Sequence, residues 1–162
     1  MKHQIFLALG SNVGDKTGNI QKATLLLKKK VLSGKTANFY ESKAAGFTDQ
    51  DNFINTVIEG NTKLSPEELL DFVKKIEKKV GRVKRFHWGP REIDIDILFY
   101  DDLVYKKENL QIPHPRIQER DFVLKPLSDI APNKIHPEIN KSILELLKDL
   151  PPASVSIIRD LK

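Results

Sequence analysis

The chain has 162 residues, 40% of them hydrophobic, which is enough for one sizeable core and within the size range of one domain. It has no cysteine, so a disulfide framework, a thiolate metal site and a thiol nucleophile are all excluded. Its net charge of +5 suits partners that reward positive potential, either nucleic acid or a small phosphorylated ligand.

The apolar run at residues 5–9 is shorter than a secretory core, and no stretch approaches the roughly 20 residues of a membrane span. We therefore expect one cytoplasmic domain over residues 1–162, monomeric and free of membrane. Residues 4–9 lead into Gly10-Ser11-Asn12-Val13-Gly14, after which Asp15 opens a stretch with Ile20, Ala23 and Leu27 at helical spacing. That reads as strand, turn and helix, with both glycines in the turn. Three residues separate the glycines, so the Walker A spacing fails and no dinucleotide fingerprint replaces it; an ATP site here has to be built from side chains. Residues 36–42 and 53–59 read as two strands joined by a polar loop. Ser65-Pro66-Glu67-Glu68 is a helix start, and Leu69, Leu70, Phe72, Val73, Ile76 and Val80 hold one face until Gly81 stops it. After a basic loop, Ile93-Asp94-Ile95-Asp96-Ile97 alternates with period two, as a strand with one apolar face does. The proline-rich remainder reads as loops, short strands and a last helix near residues 141–150. The order β-α-β-β-α-β predicts an α+β ferredoxin-like sandwich, with helices on one face of an antiparallel sheet and C-terminal additions.

Lysines such as Lys28, Lys29 and Lys30 fall in helix-like segments and suit a solvated face. Arginines lie elsewhere, at Arg82, Arg85, Arg91, Arg116 and Arg120, and the guanidinium fork is the better phosphate ligand. Asp94 and Asp96 leave one face of a strand about 7 Å apart along the backbone, where hard oxygen ligands favour Mg²⁺. An isolated Asp-x-Asp equally suits the solvent face of an ordinary strand. The loop with Arg82, Lys84, Arg85, His87 and Arg91 leads straight into this pair, and cations beside carboxylates equip a site for phosphoryl transfer. His114 is held between Pro113 and Pro115 and admits a structural or a functional reading. Phe53, Phe122 and Trp88 can stack on a flat heterocycle, although phenylalanine alone is more often core. A different Mg²⁺-dependent nucleotidyl transferase is a rival reading. An RNA-recognition module is a second, weakened by the lack of an RNP1 run.

The run from His87 through Trp88-Gly89-Pro90-Arg91-Glu92-Ile93-Asp94-Ile95-Asp96 to Leu98 resembles the signature of the 6-hydroxymethyl-7,8-dihydropterin pyrophosphokinases. Ala8 to Asn12, Phe53-Ile54-Asn55, Glu77 with Gly81-Arg82, Ile112 to Pro115 and Arg120-Asp121-Phe122 extend the likeness over nearly the whole chain. The resemblance implies ATP and the hydroxymethyl pterin as substrates, with no nucleic acid. Asp94 and Asp96 would hold two Mg²⁺ ions, with Arg82 and Arg91 as the other catalytic residues. ATP would meet Arg82, Trp88, Arg91, Ile97, Leu110, His114 and Arg120. The pterin would lie between Phe53 and Phe122, near Trp88 and Asp94, its polar edge read by Asn55 and the backbone around Ser42, Ala44 and Ala45. Phe53 stands where the family often has tyrosine, which keeps stacking and removes a hydroxyl.

Overall fold

The computed structural model describes every residue except 45–48, 84, 88 and 162. Strand β1 (His3–Ser11) lies inside a six-stranded antiparallel sheet, between β4 (Phe53–Thr62) and β5 (Asp94–Tyr100). Beyond β4, the sheet continues through two short strands, β2 (Val31–Thr36) and β3 (Tyr40–Ser42), and ends on β8 (Ile157–Asp160). The expected single strand at 36–42 is thus two pieces: it starts earlier, at Val31, and residues 37–39 interrupt it. A register shift against β4 falls earlier, inside β2 between Ser33 and Thr36.

Helices α1 (Lys16–Leu27) and α2 (Pro66–Val80) cover one face of the sheet, as the sequence predicts. Asp15 caps α1 by accepting a bond from the Gly18 amide. Ser65 and Glu68 form a full capping box on α2. Ile20, Ala23 and Leu27 of α1 and Leu69, Val73 and Ile76 of α2 pack on Ile5, Leu7, Leu9, Ile95 and Ile97. At its far end α2 closes in a left-handed Gly81, with the Arg82 amide bonded to the Glu77 carbonyl and the Gly81 amide to that of Lys78. This cap delivers Arg82 to the site.

The opposite face is not bare. Helices α3 (Asp121–Ile130) and α4 (Ile143–Asp149) bury a second cluster there, with Phe6, Val57, Leu98 and Phe99 from the sheet and Val123, Leu124 and Leu127 from α3. The proline-rich tail therefore builds a third layer, while the hairpin of β6 (Tyr105–Lys107) and β7 (Leu110–Ile112) buries Leu110 and Ile112 in the α1/α2 core. Pro126 sits inside α3, where its ring removes the N–H that would reach the Phe122 carbonyl. The last helix, α4, is a little shorter than expected, with Ser142 as its cap. Among the described residues no helix is long and apolar enough to cross a membrane.

One irregularity decides which way the side chains of β5 face. Phe6 pairs with Phe99 but Leu7 pairs with Ile97, so Leu98 is an extra residue, a β-bulge in β5. Leu98 and Phe99 both join the α3/α4 core, whereas Tyr100 returns to the α1/α2 core with Ile95 and Ile97. Asp94 and Asp96 are left on the α3 side.

At Gly81, whose φ is 116°, a Cβ is strained even though nothing crowds it. Gly81→Ala is expected to cost ~1–2 kcal/mol, read as a lower midpoint in chemical denaturation. An unchanged midpoint would show that the left-handed cap is not needed.

Candidate active site

Asp94 and Asp96 stand opposite Gly10 and Ala8 of β1, so the neighbouring strand presents only small side chains beside them. Gly10 lies within β1 and not, as expected, in the following turn; only Gly14 takes the left-handed conformation there. On its other side Gly10 pairs with Asn55 of β4. A Cβ at Gly10 would come within 2.9 Å of the Asn55 Oδ1 and 3.5 Å of the Phe53 ring. The missing side chain keeps this floor open.

Both oxygens of Asp94 are engaged by arginine. Arg82 Nη1 donates to Oδ1 at 3.2 Å and Arg91 Nη1 to Oδ2 at 3.0 Å. Arg82 is held from behind by Glu77, 2.9 Å away, and that carboxylate also accepts the Ile95 amide at 2.8 Å. Glu77 is only 2% exposed, and burial pushes its proton affinity up. It was not among the expected site residues. Its signal was a charge inside the apolar stripe of α2, four residues after Val73 and three before Val80.

Among the described residues Asp96 has no partner as close. Its Oδ2 lies 3.9 Å from His114 Nε2 and 4.0 Å from Arg120 Nη1. Burial first, and then the charge of Asp94, raise its proton affinity well above the usual carboxylate range. His114 is fixed by its amide, which donates to the carbonyl of the bulged Leu98 at 3.0 Å. Its Nδ1 accepts the Arg116 amide, which leaves Nε2 to carry the proton toward Asp96. Burial, assisted by Arg120, holds this imidazole down to about 4, so it faces the site neutral.

Phe53 and Phe122 line a cavity of about 30 Å³ together with Gly10, Asn55, Asp94 and Asp96. Arg120 places its guanidinium 5.5 Å from the centre of the Phe122 ring. Asn55 donates to the buried Ser42 hydroxyl at 2.7 Å, which fixes its amide at the edge of the slot; Ala44 is buried close by in sequence. Arg82 and Arg91 also border a larger cavity of about 660 Å³ with Lys74, Arg85 and His87. Ile97 and Leu110 lie in the α1/α2 core and not on the carboxylate face. Ala45, Trp88 and Lys84 fall outside the described residues.

The two loops flanking the site are tied together by Asn12, a second residue that spacing did not single out. Its amide donates to the Gln50 side chain at 2.7 Å and to the Asp51 carbonyl, while its Oδ1 accepts the Arg91 amide at 2.8 Å. Arg85, whose role sequence left open, clasps Glu92 with two bonds of 2.8 and 2.7 Å and reaches the Pro90 carbonyl. It braces the loop that carries Arg91, and its hydrogen bonds, with its charge behind them, hold the Glu92 carboxyl down to about 2.

Arginines gathered around paired carboxylates beside an aromatic slot suit an enzyme that moves phosphate groups, and the antiparallel frame carrying them is of the ferredoxin-like class. A sequence profile described as 7,8-dihydro-6-hydroxymethylpterin-pyrophosphokinase matches residues 6–132, and the chain belongs to that family. It is 50% identical over 141 residues to the 2-amino-4-hydroxy-6-hydroxymethyldihydropteridine pyrophosphokinase of Aquifex aeolicus, a match covering 87% of this chain and 88% of that one. The folic acid synthesis protein FOL1 of Dictyostelium discoideum is 46% identical over 91% of this chain, but the match spans only 22% of that longer protein. For the bifunctional protein FolKE of Lactococcus lactis IL1403 the figures are 44% identity, 87% and 42%. The crystal structure of wild-type Plasmodium falciparum HPPK-DHPS with pteroate shares the fold, with a TM-score of 0.73 at 18% identity over 91% of this chain and 42% of that one. Family membership sets aside the polymerase-like transferase and the RNA-recognition module as readings of this fold.

Because the unfolded chain takes up a proton near pH 6.5 that the buried His114 refuses until about pH 4, stability is fully present above that window and is lost as pH falls through it. His114→Gln removes this term. Between pH 7 and pH 5 the variant should lose ~1–2 kcal/mol less stability than the wild type, measured by urea unfolding at both values. Equal losses would show that His114 titrates normally.

Proposed function

We propose that this pyrophosphokinase transfers the β,γ-diphosphate of ATP to the hydroxymethyl group of 6-hydroxymethyl-7,8-dihydropterin and releases AMP. The observation that carries this reading is the juxtaposition at Asp94: two arginines meet it on one side and the Phe53/Phe122 slot opens on the other. The hydroxyl oxygen attacks the β-phosphorus in line and gives its proton to Asp96 or to solvent, a new O–P bond forms, and the bond from the β-phosphorus to the bridging oxygen breaks, that oxygen leaving with AMP. Protein residues contribute position and charge more than covalent chemistry.

Among the described residues no group of three or more histidine or acidic side chains could hold a metal alone. Asp94 and Asp96 offer hard oxygens from one face, and Mg²⁺ commonly takes one or two carboxylates and fills its remaining positions with substrate phosphates and water. The pair fits such a shared site. Asp94 and Asp96 would hold the Mg²⁺ ions, which when bound neutralise phosphate charge and orient the transferred group. Arg82 and Arg91 would then leave Asp94 for the phosphates, the loop carrying Arg91 being braced by Arg85 and Glu92. Neutral His114 would donate from Nε2, and Arg120 would add positive charge next to Phe122. Phe53 and Phe122 would sandwich the ring, with Asn55 and the Ser42 segment at its edge. At about 30 Å³ the slot holds little more than the share of one water, so it has to open for the ring.

Incubation with ATP, Mg²⁺ and the reduced pterin should yield AMP and the pterin diphosphate in equal amounts, resolved by chromatography. Release of ADP instead would overturn the reading. Gly10→Ala, which pushes a methyl into the slot, should weaken pterin binding at least tenfold with little change for an ATP analogue, as titration calorimetry would show.

Asp94→Asn and Asp96→Asn should each abolish most activity. Without ligand, Asp96→Asn should hold or raise stability, since it relieves repulsion and breaks no close bond; Asp94→Asn should lower it through its arginines. With Mg²⁺ and ATP at about a hundredfold over Kd, the wild type should gain ~2–3 kcal/mol and both variants much less. Equal gains in calorimetry would remove the metal assignment.

A further inference from the structure

Asp121 stands in sequence between Arg120, proposed for ATP, and Phe122, proposed for the pterin, and neither role uses it. It is 6% exposed. Its carboxylate turns away from the slot and accepts the Ser156 amide at 2.7 Å, the Ile157 amide at 2.9 Å and the Ser156 hydroxyl. These donors lie at the start of β8, the last strand of the sheet. Ile157 pairs with Ser42 of β3, and Ser42 pairs in turn with Phe53 of β4. The Lys43 amide adds a bond of 3.0 Å to the Ser156 carbonyl.

A short frame therefore runs from one aromatic jaw to the other: Phe122, Asp121, Ile157, Ser42, Phe53. We infer that Asp121 is a positioning residue that sets the gap between Phe53 and Phe122, and so governs affinity for the flat ring through the C-terminal strand. The inference rests on the pterin reading of that slot. The chemistry of the link explains why the residue is acidic. Two backbone amides meet one carboxylate oxygen and the Ser156 hydroxyl donates to the other, all three bonds being charge-assisted. An amide would keep the backbone pair only with a neutral acceptor and would force the Ser156 hydroxyl to reverse and accept, which weakens the link. The other end of α3 is pinned separately, where the Tyr40 hydroxyl donates to Asp129 Oδ2 at 2.5 Å. Loss of the Asp121 link would free the end of the helix that carries Phe122 and leave the Asp129 end in place. Because the slot is so narrow, a small shift there changes what it admits.

Three variants test this, with Kd for the pterin and for a nonhydrolysable ATP analogue measured by calorimetry well below the unfolding transition. Asp121→Asn should weaken pterin binding about tenfold and leave the analogue within about twofold. Ser156→Ala, which removes one of the three donors, should shift pterin affinity in the same direction by less. Tyr40→Phe removes the distant pin and should lower Tm while keeping pterin affinity. The inference is overturned if Asp121→Asn weakens both ligands alike or neither, or if Tyr40→Phe reproduces the pterin loss at equal destabilisation. Should Asp121→Asn fail to fold, unchanged pterin affinity in Ser156→Ala overturns it. A wild type that takes no pterin overturns the proposed function, and this inference with it. A wild type that binds pterin while Asp121→Asn loses both ligands equally overturns this inference alone.

Discussion

Strict alternation along β5 would put Asp94, Asp96, Leu98 and Tyr100 on one face and Ile95, Ile97 and Phe99 on the other. The bulge at Leu98 breaks that count once. Beyond it Tyr100 rejoins Ile95 and Ile97 under α1 and α2, and Leu98 and Phe99 together meet α3 and α4. One inserted residue lets a single strand serve two apolar cores at one end and two carboxylates at the other. It also leaves the Leu98 carbonyl available to the His114 amide, which is what brings the imidazole near Asp96. A one-residue change of register would reverse every one of these faces.

The bulge brings the acids together, and their charge then has to be managed. Two carboxylates roughly 7 Å apart along a strand repel by about 2 kcal/mol at an effective dielectric near 20. The protein answers asymmetrically. Asp94 is neutralised by Arg82 and Arg91, whereas Asp96 has His114 and Arg120 at about 4 Å as its nearest partners among the described residues and keeps a raised proton affinity. Glu77 adds a further negative charge and holds Arg82 from behind. The arginines are thereby stored beside the place where phosphate is proposed to arrive, already ordered, so partner exchange costs less side-chain entropy than recruiting them from solvent.

The first two layers were legible because their signals are local. Ser65, Pro66 and Glu68 declare a helix start within four residues, Gly81 its end, and the Ile-Asp-Ile-Asp-Ile run its strand. The pairing of acids and arginines was legible for the same reason, since the loop at residues 82–91 runs directly into β5. What stayed hidden depends on partners distant in sequence. Glu77 breaks the apolar stripe of α2 in the sequence, but what it is buried for, Ile95 and Arg82, appears only in the fold. Asn12 reads as a turn residue until Gln50 and Arg91 reach it. Gly10 reads as a turn glycine until Asn55 and Phe53 close in on its empty side. Ile97, next to Asp96, is expected near the nucleotide from the resemblance alone; what the fold adds is that alternation packs its side chain in the α1/α2 core.

The third layer was misread for a different reason. Proline within α3 argues locally against a helix, yet Pro126 is itself buried, alongside Val123, Leu124 and Leu127, and the apolar face of the sheet supplies what propensity withholds. That layer decides where the site can be. Helix α3 covers Phe6, Val57, Leu98 and Phe99 and begins only at Asp121, so the sheet beyond its first turn stays open over Ala8, Gly10, Asn55 and the two aspartates. Phe122 stands at that boundary, part core and part slot wall, packing against the α3/α4 cluster while lining the cavity that Phe53 also lines. The open patch is therefore a consequence of where one helix starts, and that start is held by a carboxylate reaching across to the last strand of the chain.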